Sequence, residues 1–482
     1  MSFNASQRLP DLVHCQNHPL DIIIVGGGIT GAGTFLETSR RGYDVALFEQ
    51  DDFASHTSSA SSKLIHGGLR YLEMMDFGLV FESCRERKRL LKLAPDLVKP
   101  LKFTFPIFKG QRLGLWTVFA GTWLYSILAL FRNIGRPKKL SATETLQQFP
   151  RINRREIVGS VQYDDASTID SRLTLCTMKT GVKLGGKAFN HVKVVEYLRE
   201  GTRVVGVVVQ DKISKKKFSM RAKWVVNTIG PWSDPNLIRL TKGVHIIVKG
   251  NPFDIQTAIT MLSPDDNRVL FLIPWCGHTL IGTTDTDYHG TPSDVRAETS
   301  DLEYLLTIVR LYFPMVMIRK EDILSTFAGL RCLKHERETQ PSHISREHIF
   351  YVKEPGVISI AGGKLTTFLS MGEQIVRWLI SHDPKLKKYK KKKIEKLEPV
   401  MSYSEMESPN EAIFQKLIRE EMAMTIRDLL QFRTLSFYLS QDHGASLIEL
   451  ASRAIKYELG YSDEEISRQI EEYKAEIKKQ PI

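Results

Sequence analysis

The sequence predicts a mixed α/β chain in which two β-sheet units interleave along the polypeptide and a cap of helices follows. Three observations predict it. The apolar run Asp21–Val25 leads into Gly26-Gly27-Gly28-Ile29-Thr30-Gly31 and a helical segment ending near Gly42, the order of strand, tight turn and helix. A second apolar run, Gly356–Ala361, meets Gly362-Gly363 and a helical segment over Leu365–Ile380, and short β-branched stretches fill the interval. Beyond Lys396 the pattern is helical, over Glu411–Met422, Thr425–Leu439, Ala445–Leu459 and Glu464–Lys478, with Ser462 and Glu465 as a capping box after a Gly460 stop.

The first strand–turn–helix has the spacing of a dinucleotide-binding start. Gly26 suits the tight turn, Gly28 lets the backbone approach a pyrophosphate, Gly31 lets helix and strand pack closely, and Gly27 lies within the same loop. The helix N-terminus then faces the phosphates. Val45–Phe48 reads as the next strand and ends in Glu49, eighteen residues past Gly31, where a carboxylate accepts from ribose hydroxyls and disfavours a 2′-phosphate.

Glycine spacing does not choose between NAD and FAD, but the next segment narrows the choice. Thr57 to Lys63 is too polar for a buried helix, and its hydroxyls and amides suit a pyrophosphate or a flavin ring, which makes Thr57, Ser58, Ser61, Ser62 and Lys63 cofactor candidates. The whole stretch Thr57-Ser-Ser-Ala-Ser-Ser-Lys-Leu-Ile-His-Gly-Gly-Leu-Arg-Tyr-Leu-Glu73 resembles the signature of FAD-dependent glycerol-3-phosphate dehydrogenases. Asn227–Trp232, Lys242–Val248, Phe271–Trp275 with Ile281–Asp285, and Ala361–Thr367 resemble that family in the same order. The likeness covers residues 20 to about 380 well and the last hundred loosely, with Ile426–Thr434 the clearest match there.

The resemblance implies a discontinuous Rossmann-like FAD-binding domain, an interleaved β-sheet substrate domain and a helical C-terminal cap. The expected segments are an extension over 1–20, FAD-binding stretches near 21–110, 165–235 and 345–384, substrate-binding stretches near 111–164 and 236–344, a basic linker over 385–400 and the cap over 401–482. It implies hydride transfer from carbon 2 of sn-glycerol 3-phosphate to FAD, giving dihydroxyacetone phosphate, with electrons passed to a membrane quinone. Such chemistry needs a base, a cation for the developing alkoxide and phosphate anchors. His66 or His245 is the candidate base, and Arg331 the cation near carbon 2, although Cys332 replaces the proline usual after it and leaves that loop less defined. Arg70 and Tyr71 are phosphate anchors, and Lys364 contacts substrate or the flavin carbonyl. Gly230, Gly362, Gly363, Leu365 and Thr366 complete the cofactor set. An oxidase passing electrons to oxygen shares the same half-reaction. From other classes, a tRNA-binding flavoprotein and a non-catalytic flavin-binding membrane scaffold remain alternatives.

Composition bounds the partners. A chain of 482 residues is long enough for two or three domains, and its net charge of +12 suits anionic partners. No nucleic-acid module accompanies that charge, so nucleic acid is not an expected partner. The five cysteines are scattered without metal-ligand spacing, and no metal is expected. Residues 1–20 lack the apolar core of a secretory signal and read as a disordered extension. Gly114–Phe131 carries no charge over eighteen residues, yet its Gly, Thr and Ser content favours a buried or interfacial helix over a span. The lysine run Lys385–Lys396 reads as a solvated linker or as a contact for anionic lipid. The expected location is cytoplasmic, peripheral to the inner face of the cell membrane; homodimerisation is left open.

Overall fold

A run of three isoleucines, Ile22, Ile23 and Ile24, becomes the strand Leu20–Val25 at the centre of a sheet covered on both faces. Continuous rather than alternating hydrophobicity is what such a strand requires. Ile22 and Ile24 face one core with Phe35 and Ile375, while Ile23 faces another with Leu12, Cys15 and Val207. This computed structural model describes residues 3–72, 75–129, 134–334, 348–386 and 389–481, and only the backbone of Arg70 and Tyr71.

The first sheet runs in the order Ile349–Glu354, Val357–Ala361, Lys217–Asn227, Leu20–Val25, Val45–Phe48 and Lys187–Phe189, parallel except at its first strand. A hairpin of Val192–Glu200 and Arg203–Asp211 extends from the lower part of Lys217–Asn227. Its strands thus come from three separate parts of the chain, 20–48, 187–227 and 349–361.

The second sheet runs Thr286–Asp287, Ile238–Val248, His278–Gly282, Val269–Trp275, Ala258–Leu262, Lys99–Phe108, Ile157–Ser167 and Leu64–Ile65, and Ile323–Lys334 pairs along Ile238–Val248. The hairpin expected around Trp275-Cys276-Gly277 is present, with Trp275 opposite His278. Leu64–Ile65, only a few residues beyond the cofactor loop, pairs with Ser167 and Ala166 and carries the chain from one sheet to the other.

Helix α1 (Arg8–Asn17) packs on the first sheet away from the site, which three helices frame: α2 (Ile29–Arg40), α3 (Phe77–Leu93) and α4 (Leu115–Leu128). Leu79, Val80 and Cys84 of α3 pack on Tyr125 and Ala129 at α4, and Leu69 and Leu72 of the turn bearing Arg70 and Tyr71 rest against them. The outer side of α4 exposes Trp116, Trp123, Leu124 and Ile127. Among the described residues no helix is long and apolar enough to cross a membrane.

The C-terminal helices Glu411–Glu421, Ile448–Leu459 and Asp463–Ile477 share a core with Ile247, Leu280 and Phe327 of the second sheet. Buried ion pairs tie the cap to the segments flanking the first sheet as well: Arg172 of the helix Asp170–Lys183 to Glu421, Asp52 after Val45–Phe48 to Arg433, and His191 after Lys187–Phe189 to Asp428.

Several expectations are corrected. The N-terminal extension is ordered: α1 buries Leu12 and Cys15 against the first sheet, and Arg8 binds Asp211 at 2.6 Å. Arg331-Cys332 lies in no loop, since Cys332 stands opposite Leu240 in a regular strand where proline would remove an N–H. The segment Thr425–Leu439 is not one α-helix; a π-helical turn over Asp428–Arg433 precedes Ser436–Leu439, with Leu435 left-handed between them. Ser462 accepts from the Glu465 N–H, the forward half of the expected capping box. The lysine run is partly docked: Lys392 N–H donates to the Arg40 carbonyl, Leu397 N–H to that of Leu93, and Lys391 pairs with Glu373.

Candidate active site

The turn between Leu20–Val25 and α2 explains its glycines by contact. A Cβ on Gly31 would stand 2.0 Å from the Gly26 carbonyl, and one on Gly28 3.0 Å from Ser58 Oγ. Gly31 therefore serves packing and lies off the cavity wall, whereas Gly26 and Gly28 line it. Gly27 works through its N–H, which donates to Glu49 Oε2 at 2.6 Å. Glu49 also accepts from Asp51 N–H at 2.8 Å; burial raises its carboxyl against these two donors. No acidic residue occupies the first turn of α2, so its N-terminal amides face the cavity without a competing charge.

That cavity, about 840 Å³, runs from the glycine turn and Glu49 past Thr57, Ser58, Ser61 and Ser62 to His66, His245, Arg331 and Lys364. Gly230, Gly362, Gly363, Leu365 and Thr366 line it too. One continuous space thus gathers the predicted cofactor loop, both histidines and two of the predicted cations. Lys63 is the exception: its buried ammonium binds the Ser59 carbonyl and Asp170 and is absent from the cavity wall. Arg70 and Tyr71 sit in a short helical turn, Leu69–Leu72, and their side chains lie outside the described residues.

The hydroxyls are more specialised than composition suggested. Ser58 Oγ accepts from Ile29 N–H at 2.9 Å, Thr57 donates to the Leu330 carbonyl, and Ser61 donates to Asp170. Ser62 Oγ lies 2.9 Å from His245 Nε2. Burial, with Arg331 and Lys63 nearby, pushes the His245 imidazole well below its usual range, so it is neutral. Its ring stacks on Phe327 and lies so close to Gly282 that a Cβ there would come within 2.1 Å.

Arg331 is held by its acceptors. It donates to the Thr284 carbonyl and Asp285 Oδ1, both at 3.1 Å, and to Thr283 Oγ1 at 2.8 Å, while its guanidinium lies over Gly243. Lys364 donates to Ser83 Oγ of α3 at 3.1 Å. Sequence reasoning missed Asp170, Thr283 to Asp285 as orienting groups, and Asp165, which lines the cavity and accepts from Gly67 N–H at 3.0 Å. The motif Ile281–Asp285 marked the Arg331 partners without saying what they do; nothing local marked Asp165 or Asp170.

Comparison with known proteins follows the same lines. Residues 21–374 match the family model described as FAD dependent oxidoreductase. An aerobic glycerol-3-phosphate dehydrogenase of Bacillus subtilis (strain 168) is 38% identical over 384 residues, covering 78% of this chain and 69% of that protein. The chain belongs to the family of FAD-dependent glycerol-3-phosphate dehydrogenases. The crystal structure of a glycerol-3-phosphate dehydrogenase from Bacillus halodurans complexed with FAD superposes with a TM-score of 0.81 at 26% identity, covering 100% of this chain and 99% of that one. An L-alpha-glycerophosphate oxidase of Mycoplasma pneumoniae with FAD bound shares the fold, with a TM-score of 0.61, 18% identity and coverage of 80% and 100%. The glycine cradle, the helix N-terminus with no acidic residue in its first turn and buried Glu49 at the end of Val45–Phe48 fit the pyrophosphate and ribose of this family's cofactor. The FAD-dependent dehydrogenase fold therefore extends over the cap, where sequence likeness was loosest.

Proposed function

We propose that the chain oxidises sn-glycerol 3-phosphate to dihydroxyacetone phosphate and passes the electrons to a quinone at a membrane surface. The observation that carries the reading is the single cavity joining the cofactor cradle to His66, His245, Arg331 and Lys364. When bound, FAD supplies the hydride acceptor. The chain's own groups supply the rest. Neutral His245 takes the hydroxyl proton at Nε2, where Ser62 now sits, or His66, which lines the same cavity, does so. Arg331, fixed by three acceptors, holds the negative oxygen at carbon 2. Lys364 and the Arg70–Tyr71 turn hold the phosphate, and a guanidinium there offers two parallel contacts to it.

The acceptor reading rests on the apolar part of the cavity wall. Leu69, Leu72, Leu113, Val118 and Leu124 belong to it, with Thr117 and Gly121 of α4 among them, and Leu124 belongs also to the exposed apolar side of α4. An apolar acceptor suits that wall better than a solute from water. Anaerobic addition of glycerol 3-phosphate to the yellow holoprotein is expected to bleach the flavin band, and a soluble quinone analogue to restore it. An unbleached band refutes the substrate; reoxidation by oxygen alone, with peroxide formed in step, moves the acceptor to oxygen.

A further inference from the structure

Behind the site lies a buried charged cluster that the reaction as described does not use. Asp165 Oδ1 accepts from Gly67 N–H at 3.0 Å, from Tyr125 Oη at 2.9 Å and from the Arg87 guanidinium. Arg87 donates to Tyr125 Oη at 2.8 Å as well. All three side chains are enclosed, Arg87 completely. Burial raises the Tyr125 phenol far above its usual range, so it remains a donor. Gly67 lies so flat on this cluster that a Cβ would come within 1.9 Å of Tyr125 Oη and 2.5 Å of Cys84 Sγ.

The peptide involved is the one that follows His66. Its N–H is bound by Asp165, and its carbonyl accepts from Thr366 Oγ1 at 3.1 Å. One peptide plane is thereby pinned from both ends, by the substrate sheet through Asp165 and by the late cofactor loop through Thr366. A peptide plane held at both ends fixes the direction in which the preceding side chain leaves the backbone.

We infer that Asp165, clamped by Arg87 and Tyr125, is a positioning residue that sets His66 and the following Gly67-Gly68 turn against the cofactor. The inference rests on the reading above for its choice of reductant. It also makes α4, which carries Tyr125, part of the scaffold of the site. A shift of about 1 Å at a reacting group costs on the order of 100-fold in rate, so a small slackening is measurable.

Tyr125→Phe removes one donor and leaves the Arg87–Asp165 pair; Asp165→Asn keeps an acceptor for Gly67 and removes the charge. Each variant is purified as holoprotein, its FAD content and dithionite reduction measured, and its anaerobic reduction by glycerol 3-phosphate followed by stopped flow. We expect full FAD content and complete dithionite reduction, a limiting reduction rate lowered about tenfold or more with a smaller change in substrate affinity, and an altered visible circular dichroism of the flavin. Unchanged limiting rate and unchanged dichroism in both variants overturn the inference. Should Asp165→Asn fail to fold because Arg87 is left unpaired, Tyr125→Phe decides alone. Should the wild-type flavin not bleach, the proposed substrate fails instead, and the dichroism of the variants still decides the positioning role.

Discussion

Arg331 shows how a single residue is prepared for the task proposed for it. A guanidinium that already donates to Thr283, Thr284 and Asp285 keeps its orientation when substrate arrives, whereas a lysine at the same place offers a compact ammonium on a flexible stem and no planar fork to lock. Arg331→Lys is therefore expected to lower the limiting rate of flavin bleaching about 100-fold, the usual cost of losing one preorganised donor at a developing oxyanion, and an unaltered rate removes Arg331 from that role. Glu49 makes the complementary case on the cofactor side. Its carboxylate holds Gly27 N–H and Asp51 N–H together at the end of Val45–Phe48, where the ribose is proposed to lie. Glu49→Ala frees both donors, and FAD affinity measured by fluorescence titration is expected to fall about tenfold to 100-fold, equivalent to roughly 1.5–3 kcal/mol for hydrogen bonds to a charged group. His245 adds a pH signature. Its imidazole is neutral above a pKa displaced downward by burial, so if it is the base, activity is lost on the acid side below pH 6.5, the ordinary imidazole value, and a limb at or above that value removes His245 as the base.

Between elements, long-range pairing decides what sequence left out. The strand, turn and helix at residues 20–40 were legible because each signal is local: a buried apolar run, glycines at close approaches, a helix start. His66, His245, Arg331 and Lys364 were legible only through motif likeness, and the cavity brings them together. Asp165 and Asp170 were not legible, since an aspartate in a strand or at a helix start has no local mark of its buried cationic partner far away in sequence. The same holds for the ties between the cap and the segments flanking the first sheet. Burial alone raises the Asp428 carboxyl, but His191 and Arg433 outweigh it and hold it at about 2. Burial opposes charge on His191, and Asp428 with Asp52 outweighs that and raises it. A lowered carboxyl stabilises the fold above its unfolded value of 3.8 and loses this as pH falls through 2; a raised imidazole stabilises below its unfolded value of 6.5 and loses this as pH rises through its folded one. The difference in unfolding free energy between wild type and Asp428→Asn is thus expected to plateau near pH 4 to 6.5 and shrink on both sides, at about 3–5 kcal/mol for a broken buried pair. Denaturant melts across pH measure it, and a difference independent of pH rules the pair out as its source.

At the scale of the whole molecule, apolar and basic surface lie along one helix. α3 is about 25 Å long at 1.5 Å per residue. Phe77 and Phe81 are exposed at its start, while Arg85, Lys88 and Lys92 are exposed along the rest. At its far end the lysine run is docked, with Lys390, Lys392, Lys393 and Lys396 exposed. Tryptophans at an apolar edge flanked by cations are the composition of a helix lying in a bilayer interface, where each cation near an anionic surface contributes about 1 kcal/mol. The two contributions separate by salt, because screening at high ionic strength removes the cationic one and leaves apolar insertion. Holoprotein is accordingly expected to sediment with vesicles containing phosphatidylglycerol, more strongly at low salt than at high. Replacing Lys390, Lys392, Lys393 and Lys396 by glutamine should lower binding at low salt only, whereas Trp116→Ala with Trp123→Ala should lower it at both. If both sets of variants sediment as wild type does, this face is not the membrane contact, and the apolar part of the cavity wall must meet its acceptor by another approach.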